Sequence, residues 1–140
     1  MRIVAATVTI EASPTAVWAV LPDFASYPRW NPLFSRAAGD IVVGQRIELT
    51  TVQPGGRTMT VRPVILAADP GAELRWTAGL KGLIGGEHRF LLAPDGTGTR
   101  LEQRETFSGL LVPFSGRVLS RAEDSFRALN EAIRTRAEGR

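Results

Sequence analysis

The sequence predicts an α+β domain in which a seven-stranded antiparallel sheet wraps around one long C-terminal helix. Short stretches of alternating apolar and polar residues recur from Ile3 to Phe107, separated by turns rich in glycine and proline. The last quarter then changes period. Phe114, Val118, Ala122, Phe126, Leu129, Ile133 and Ala137 step by 4, 4, 4, 3, 4 and 4, which makes a single apolar stripe along a helix. An amphipathic helix is stable only where its stripe is covered, and the concave face of the sheet is the surface the rest of the chain offers.

The first strand is Ile3 to Ala12, where Val4, Ala6, Val8 and Ile10 alternate with more polar positions. Ser13-Pro14 follows, an N-cap and an N1 proline for a short helix to about Leu21 that buries Val17, Trp18 and Leu21. Asp23 opens a second helical turn over Phe24 to Tyr27, which Pro28 ends. The second strand is Leu33 to Ala38. Turn signals at Gly39-Asp40 with Gly44, at Pro54-Gly55-Gly56 and at Asp69-Pro70-Gly71 bound three more, Arg46 to Gln53, Thr58 to Ala67 and Glu73 to Ala78. A hairpin within residues 86–109 supplies the sixth and seventh. Pro113 then stands where the long helix should begin, and Arg117, Arg121, Arg127, Arg134 and Arg136 fall off its stripe. There are no repeats and no linkers, so residues 1–140 read as one domain.

Composition excludes several classes of function. The 140 residues are enough for a core without staples, and 44% hydrophobic with 22% charged residues is ordinary for a globular protein. There is no cysteine and one histidine, which argues against disulfides, thiolate chemistry and zinc clusters. No metal or cofactor is expected. The N-terminus alternates rather than running apolar, and no stretch approaches the roughly 18 apolar residues of a membrane span, so a cytoplasmic protein without stable membrane insertion is expected. The net charge is +3, but the arginines are scattered and mostly interleaved with acids, which reads as a solvated surface and not a nucleic-acid patch. No Gly-x-Ser-x-Gly elbow, phosphate-binding glycine loop or His-Glu-x-x-His motif is present.

The hairpin holds the most informative residues. In an antiparallel pair facing positions have a constant index sum, so a turn centred on Gly96-Thr97 sets His88 opposite Glu105, Phe90 opposite Gln103 and Leu92 opposite Leu101. Gly96-Thr97 is not a favoured pair for a two-residue turn, which points to a four-residue loop from Asp95 to Gly98 in the same register. On the outer face Arg89 meets Arg104, with Glu87 and Glu102 placed to relieve the repulsion. The inner face thus carries a histidine, an amide and a carboxylate. An unpaired buried carboxylate costs several kcal/mol, whereas a partly wet cavity tolerates one. Three readings follow: His88 and Glu105 merely satisfy each other, they recognise the polar end of a ligand, or they move a proton.

The stretches IEASPTAVWAVLPDFASYPRWNPL (residues 10–33) and GEHRFLLAPDGTGTRLEQRETFSGLL (86–111), with the final helical pattern F-x-x-L-N-E-A-I, resemble the SRPBCC (START/Bet v 1-like) superfamily. Within it the chain is most similar to small bacterial proteins described as polyketide cyclase/dehydrase-like. The resemblance spans essentially the whole chain and implies the helix-grip fold, with a deep cavity between sheet and helix for small hydrophobic or amphipathic molecules. Candidate ligand contacts are Trp30, Met59, Val61, Trp76, Leu83, His88, Phe90, Gln103, Glu105, Phe107, Val118 and Phe126. Trp30 either lines the mouth or wedges the core. The glycine-rich stretch Gly79-Leu80-Lys81-Gly82-Leu83-Ile84-Gly85-Gly86 reads either as a lid over the entrance or as a loop folded onto the helix.

Two functions remain open, with the oligomeric state, monomer or homodimer, unspecified. One is a carrier or sensor that binds its ligand without chemistry. The other is a cofactor-free cyclase, dehydratase or isomerase in which His88 or Glu105 transfers a proton. A weaker third is a protein- or ribosome-associated module, favoured only if the cavity proves closed.

Overall fold

A computed structural model describes residues 1–53, 55–80 and 82–140, without the side chain of Leu80. Strand β1 (Arg2–Ile10) leads into helix α1 (Pro14–Val20), a 3-10 turn (Phe24–Ser26) and the single-turn helix α2 (Tyr27–Trp30). Strands β2 (Phe34–Ala38), β3 (Glu48–Val52), β4 (Thr58–Val61), β5 (Val64–Asp69), β6 (Glu73–Leu80), β7 (Ile84–Asp95) and β8 (Gly98–Ser108) follow. A second 3-10 turn (Val112–Phe114) precedes helix α3 (Gly116–Ala137). Local chemistry sets the first turns. The Ser13 hydroxyl accepts the Ala16 N–H at 3.2 Å with Pro14 at N1. After α2 the Asn31 carboxamide oxygen accepts from the N–H groups of Leu33 and Phe34 at 2.9 and 2.7 Å, which turns the chain into β2.

The expectation of one seven-stranded sheet is corrected. Among the described residues the strands number eight, in a five-stranded sheet ordered β1-β8-β7-β6-β5 and a three-stranded sheet ordered β2-β3-β4. The expected strand Thr58 to Ala67 is two strands, parted at Arg62-Pro63, because Pro63 has no N–H to give a ladder. The sheets stay joined by a short seam. Ile47 N–H donates to Pro63 O, Ile65 N–H to Gln45 O and Gly44 N–H to Ile65 O, at 2.9–3.0 Å.

The β7–β8 register is the expected one, His88 facing Glu105, Phe90 facing Gln103 and Leu92 facing Leu101. The ladder runs to Asp95–Gly98, so the turn is the two-residue one at Gly96-Thr97 and not the longer loop. Gly96 has φ +62° and Thr97 does not have positive φ, the demand of a II′ turn with glycine first. On the outer face Arg89 pairs with Glu87 at 3.2 Å and Arg104 with Glu102 at 3.0 Å, which relieves the facing arginines.

Helix α3 packs its C-terminal half, through Leu129 and Ile133, into a core that includes Val17, Leu21, Phe90 and Leu101. Its N-terminal half packs Leu119 and Phe126 on Val4, Ala6 and Val112. The expected stripe is therefore corrected at its start. Phe114 is 85% exposed and Val118 61% exposed, and Leu119 is buried in their place. Successive steps of four advance about 40° around a helix each time. Counting back from Phe126, Val118 has rotated to the flank of the buried face, while Phe114 is not on the helix at all: α3 begins at Gly116 and not at Pro113, and Phe114 ends the 3-10 turn before it.

The Gly79–Gly86 stretch is also mostly not a loop. Gly79 pairs with Gly85 and Leu80 with Ile84, so the stretch is the closing end of the β6–β7 hairpin. Lys81 and the Leu80 side chain, on which part of the lid expectation fell, lie outside the described residues, as does Pro54 of the expected Pro54-Gly55-Gly56 turn. Leu83 is exposed.

Candidate functional site

Where the two sheets part, a cavity of about 620 Å³ opens against the first turns of α3. One wall is the three-stranded sheet and what adjoins it, with Leu49, Thr51, Met59, Val61 and Pro63. The other is the five-stranded sheet, with Trp76, Ala78, Gly86, His88, Glu105 and Phe107. Helix α3 closes one side with Arg117, Val118, Arg121, Ala122, Ser125 and Phe126. Met59, Arg117, Val118 and Arg121 are exposed and mark the mouth. Most of the lining is apolar, as ligand cavities usually are.

The polar residues of the hairpin form a continuous relay at the base of this cavity. Asn130 Nδ2 donates to Ala6 O at 3.0 Å. Gln103 Nε2 donates to Asn130 Oδ1 at 2.6 Å and to Phe126 O at 3.1 Å. An amide nitrogen only donates, so Gln103 Oε1 is the atom that faces His88 Nε2 at 3.0 Å, and it accepts. The network therefore assigns a proton to His88 Nε2. The remaining ring nitrogen, Nδ1, lies 2.8 Å from Glu105 Oε1. A hydrogen bond at that contact needs one proton, either on the ring beside a carboxylate or on the carboxyl beside an unprotonated Nδ1. The two forms differ only in the position of that proton.

Aromatic rings hold the imidazole in place. Trp76 stacks on it, with ring centroids 5.4 Å apart and planes within 17°. Phe90 and Phe126 approach at 4.8 and 4.9 Å. His88 is only 3% exposed, whereas the Glu105 side chain keeps 19% of its surface. With both ring nitrogens engaged, the carboxylate is the group of the pair that can meet a cavity occupant. Its second oxygen rests over Gly86, where an added Cβ would lie 2.6 Å away. Glycine at that position is what lets the carboxylate fold against the strand.

Of the candidates named from the sequence, Met59, Val61, Trp76, His88, Glu105, Phe107, Val118 and Phe126 all line the cavity. Phe90 and Gln103 lie buried beneath it, one packing on His88 and the other hydrogen-bonding it. Leu83 is not among the lining residues, nor is Trp30. Trp30 donates its indole N–H to Ser26 Oγ at 2.8 Å and carries the Arg136 guanidinium 5.7 Å above its ring, so it is the packing wedge of the two readings. Asn130, Arg117, Arg121 and Ser125 were missed. A buried histidine–amide pair needs a further polar partner outside the hairpin, and Asn130, one turn after Phe126, was the polar residue beside the helix stripe that could supply it. Among the described residues no group of three or more His, Asp or Glu side chains could hold a metal ion, and no helix is long and apolar enough to cross a membrane.

Solved structures share this architecture. A protein from Mesorhizobium loti has 22% identity and a TM-score of 0.77, with 96% of this chain and 95% of that one covered. A START superfamily protein from Mycobacterium smegmatis has 21% identity and a TM-score of 0.77 over 97% of both chains. The di-domain ARO/CYC StfQ from the steffimycin biosynthetic pathway has 19% identity and a TM-score of 0.69, over 96% of this chain and 51% of StfQ. At such identities the likeness is one of fold. No curated protein matches the sequence significantly. A family described as polyketide cyclase/dehydrase and lipid transport matches residues 1–138, so with its antiparallel sheets gripping a C-terminal helix the chain belongs to that family.

Proposed function

We propose that the protein binds a small hydrophobic or amphipathic molecule in the cavity between its sheets and α3, as a carrier or sensor. The observation that carries this reading is the cavity itself, about 620 Å³, mostly apolar and with one ionisable pair at its base. A volume of this size suits a drug-sized molecule. Trp76, Phe107, Met59, Val61, Val118 and Phe126 contact its apolar body, and Glu105 accepts a hydrogen bond from a hydroxyl or other donor at its inner end. The family description and the likeness to StfQ agree with a cavity that holds such molecules.

The 2.8 Å contact between His88 Nδ1 and Glu105 Oε1 favours a second reading, a cyclase, dehydratase or isomerase. There Glu105 would be the proton-transferring group and His88 its reservoir, because both nitrogens of His88 are already engaged. A fluorescent hydrophobic dye tests the common part. It should bind the folded protein saturably, with affinity on the order of micromolar, and a binding signal that arises only on partial unfolding would refute the cavity reading. Mass spectrometry of the native protein then separates the two functions. A co-purified molecule that is released unchanged marks a carrier, and one converted only when Glu105 is intact marks an enzyme.

A further inference from the structure

The arginines of α3 divide into two groups. Arg127 pairs with Glu123 at 2.7 Å, Arg134 with Glu131 at 2.7 Å and Arg136 with Asp23 at 3.9 Å. Arg117 and Arg121 have no carboxylate within ion-pair distance among the described residues, and both line the cavity mouth. Their placement is locally unfavourable twice over. They stand four apart, so like charges face each other along one side of the helix. Arg117 also lies in the first turn, which holds no acidic residue and where the helix dipole favours one. Positions that break local rules without a compensating contact are where function is to be sought.

From this pair, and resting on the cavity reading above, we infer that the ligand is an amphipathic anion whose acidic group sits between Arg117 and Arg121. Its apolar body extends inward past Val118, Ala122 and Phe126. The polar groups also fix its direction. With Glu105 Oε1 engaged by His88, the remaining oxygen at the base can only accept a hydrogen bond and has nothing to offer an acidic group, so the acidic end faces outward and a donor-bearing end reaches Glu105. A guanidinium pair suits the oxygens of a carboxylate or of a phosphate monoester, by two parallel hydrogen bonds in either case. The two headgroups share one chemistry, and direct comparison separates them.

The test uses three probes of equal chain length, dodecanoate, dodecyl phosphate and dodecan-1-ol, each displacing a hydrophobic dye from the full chain at low ionic strength. At least one anion should bind about five- to tenfold tighter than the alcohol, the range open to one or two solvent-exposed charge-assisted contacts. The larger advantage identifies the headgroup. In the Arg117→Gln/Arg121→Gln variant the advantage should fall to within about twofold, and alcohol affinity should stay within about twofold of wild type. The variant should melt no lower than wild type, since it loses a repulsion and keeps helix-forming residues. Equal binding of all three probes by the wild type overturns the inference and leaves the cavity reading standing, as does an anion advantage that survives in the variant. Failure of every probe and of the dye overturns both.

Discussion

Replacing Gln103 by leucine tests the relay at its centre. The side chain is fully buried and makes three hydrogen bonds, accepting from His88 Nε2 and donating to Asn130 Oδ1 and Phe126 O. Leucine nearly fills the space but satisfies none of these groups. The Phe126 carbonyl keeps its helical partner, which leaves the His88 N–H and the Asn130 oxygen as buried orphans. Each costs roughly 1–3 kcal/mol, and the added apolar burial offsets ~1–2 kcal/mol. The net loss should be about 1–4 kcal/mol, a large share of the roughly 5–15 kcal/mol typical of a domain. The melting temperature should fall by on the order of 10 °C. Urea unfolding followed by circular dichroism, with the slope checked for two-state behaviour, measures the loss directly. Gln103→Leu combined with Asn130→Leu should cost less than the sum of the single changes, because one orphan is removed along with its partner. A loss below about 1 kcal/mol for Gln103→Leu, with strict additivity in the pair, would refute the relay as described.

Two further perturbations address the carboxylate and the first helices. Gly86→Ala puts a methyl group 2.6 Å from Glu105 Oε2 and should cost about 1–3 kcal/mol in urea unfolding by displacing the carboxylate from His88. In a Glu105→Ala background the same change should cost less than ~1 kcal/mol, and equal costs in both backgrounds would show that the clash is with something else. Tyr27 donates its hydroxyl proton to Leu21 O, and burial, helped by the Asp23 carboxylate, pushes its ionisation well above the ordinary tyrosine value. The native state keeps this proton where the unfolded chain loses it, so the associated stability is complete below the unfolded value of about 10 and declines as pH rises beyond it. Tyr27→Phe should flatten the fall in stability above pH ~10. As Tyr27 is the only tyrosine, tyrosinate absorbance in the wild type should appear only with unfolding, and a normal titration in the folded protein would contradict the burial.

The hairpin pairing was legible because a strand has period two and facing residues have a fixed sum, so one glycine turn placed His88 beside Glu105. The order of the elements was legible from turn residues and from the change of period after Gly109. The sheet count was not, although Pro63 carried the signal: alternation continues on either side of a proline, and pattern reading joined what the missing N–H separates. Asn130 escaped because a polar residue beside an apolar stripe normally faces water, and only its contact with Gln103, 27 residues away in sequence, reveals otherwise. Arg117 and Arg121 escaped for a related reason. Off the stripe, they read as solvent-facing, and exposure alone does not distinguish a surface arginine from one at a rim.

The seam between Gly44–Ile47 and Pro63–Ile65 divides labour within the domain. The ionisable pair and its relay belong to the five-stranded sheet and α3, and their register is locked by the long β7–β8 ladder. The three-stranded sheet contributes shape through Leu49, Thr51, Met59 and Val61, with no group of the relay. Substitutions there can re-contour the hollow for a bulkier or slimmer guest while the proton-bearing machinery stays unmoved. Diversification of guest preference should therefore proceed on one side of the seam, and loss of fold on the other.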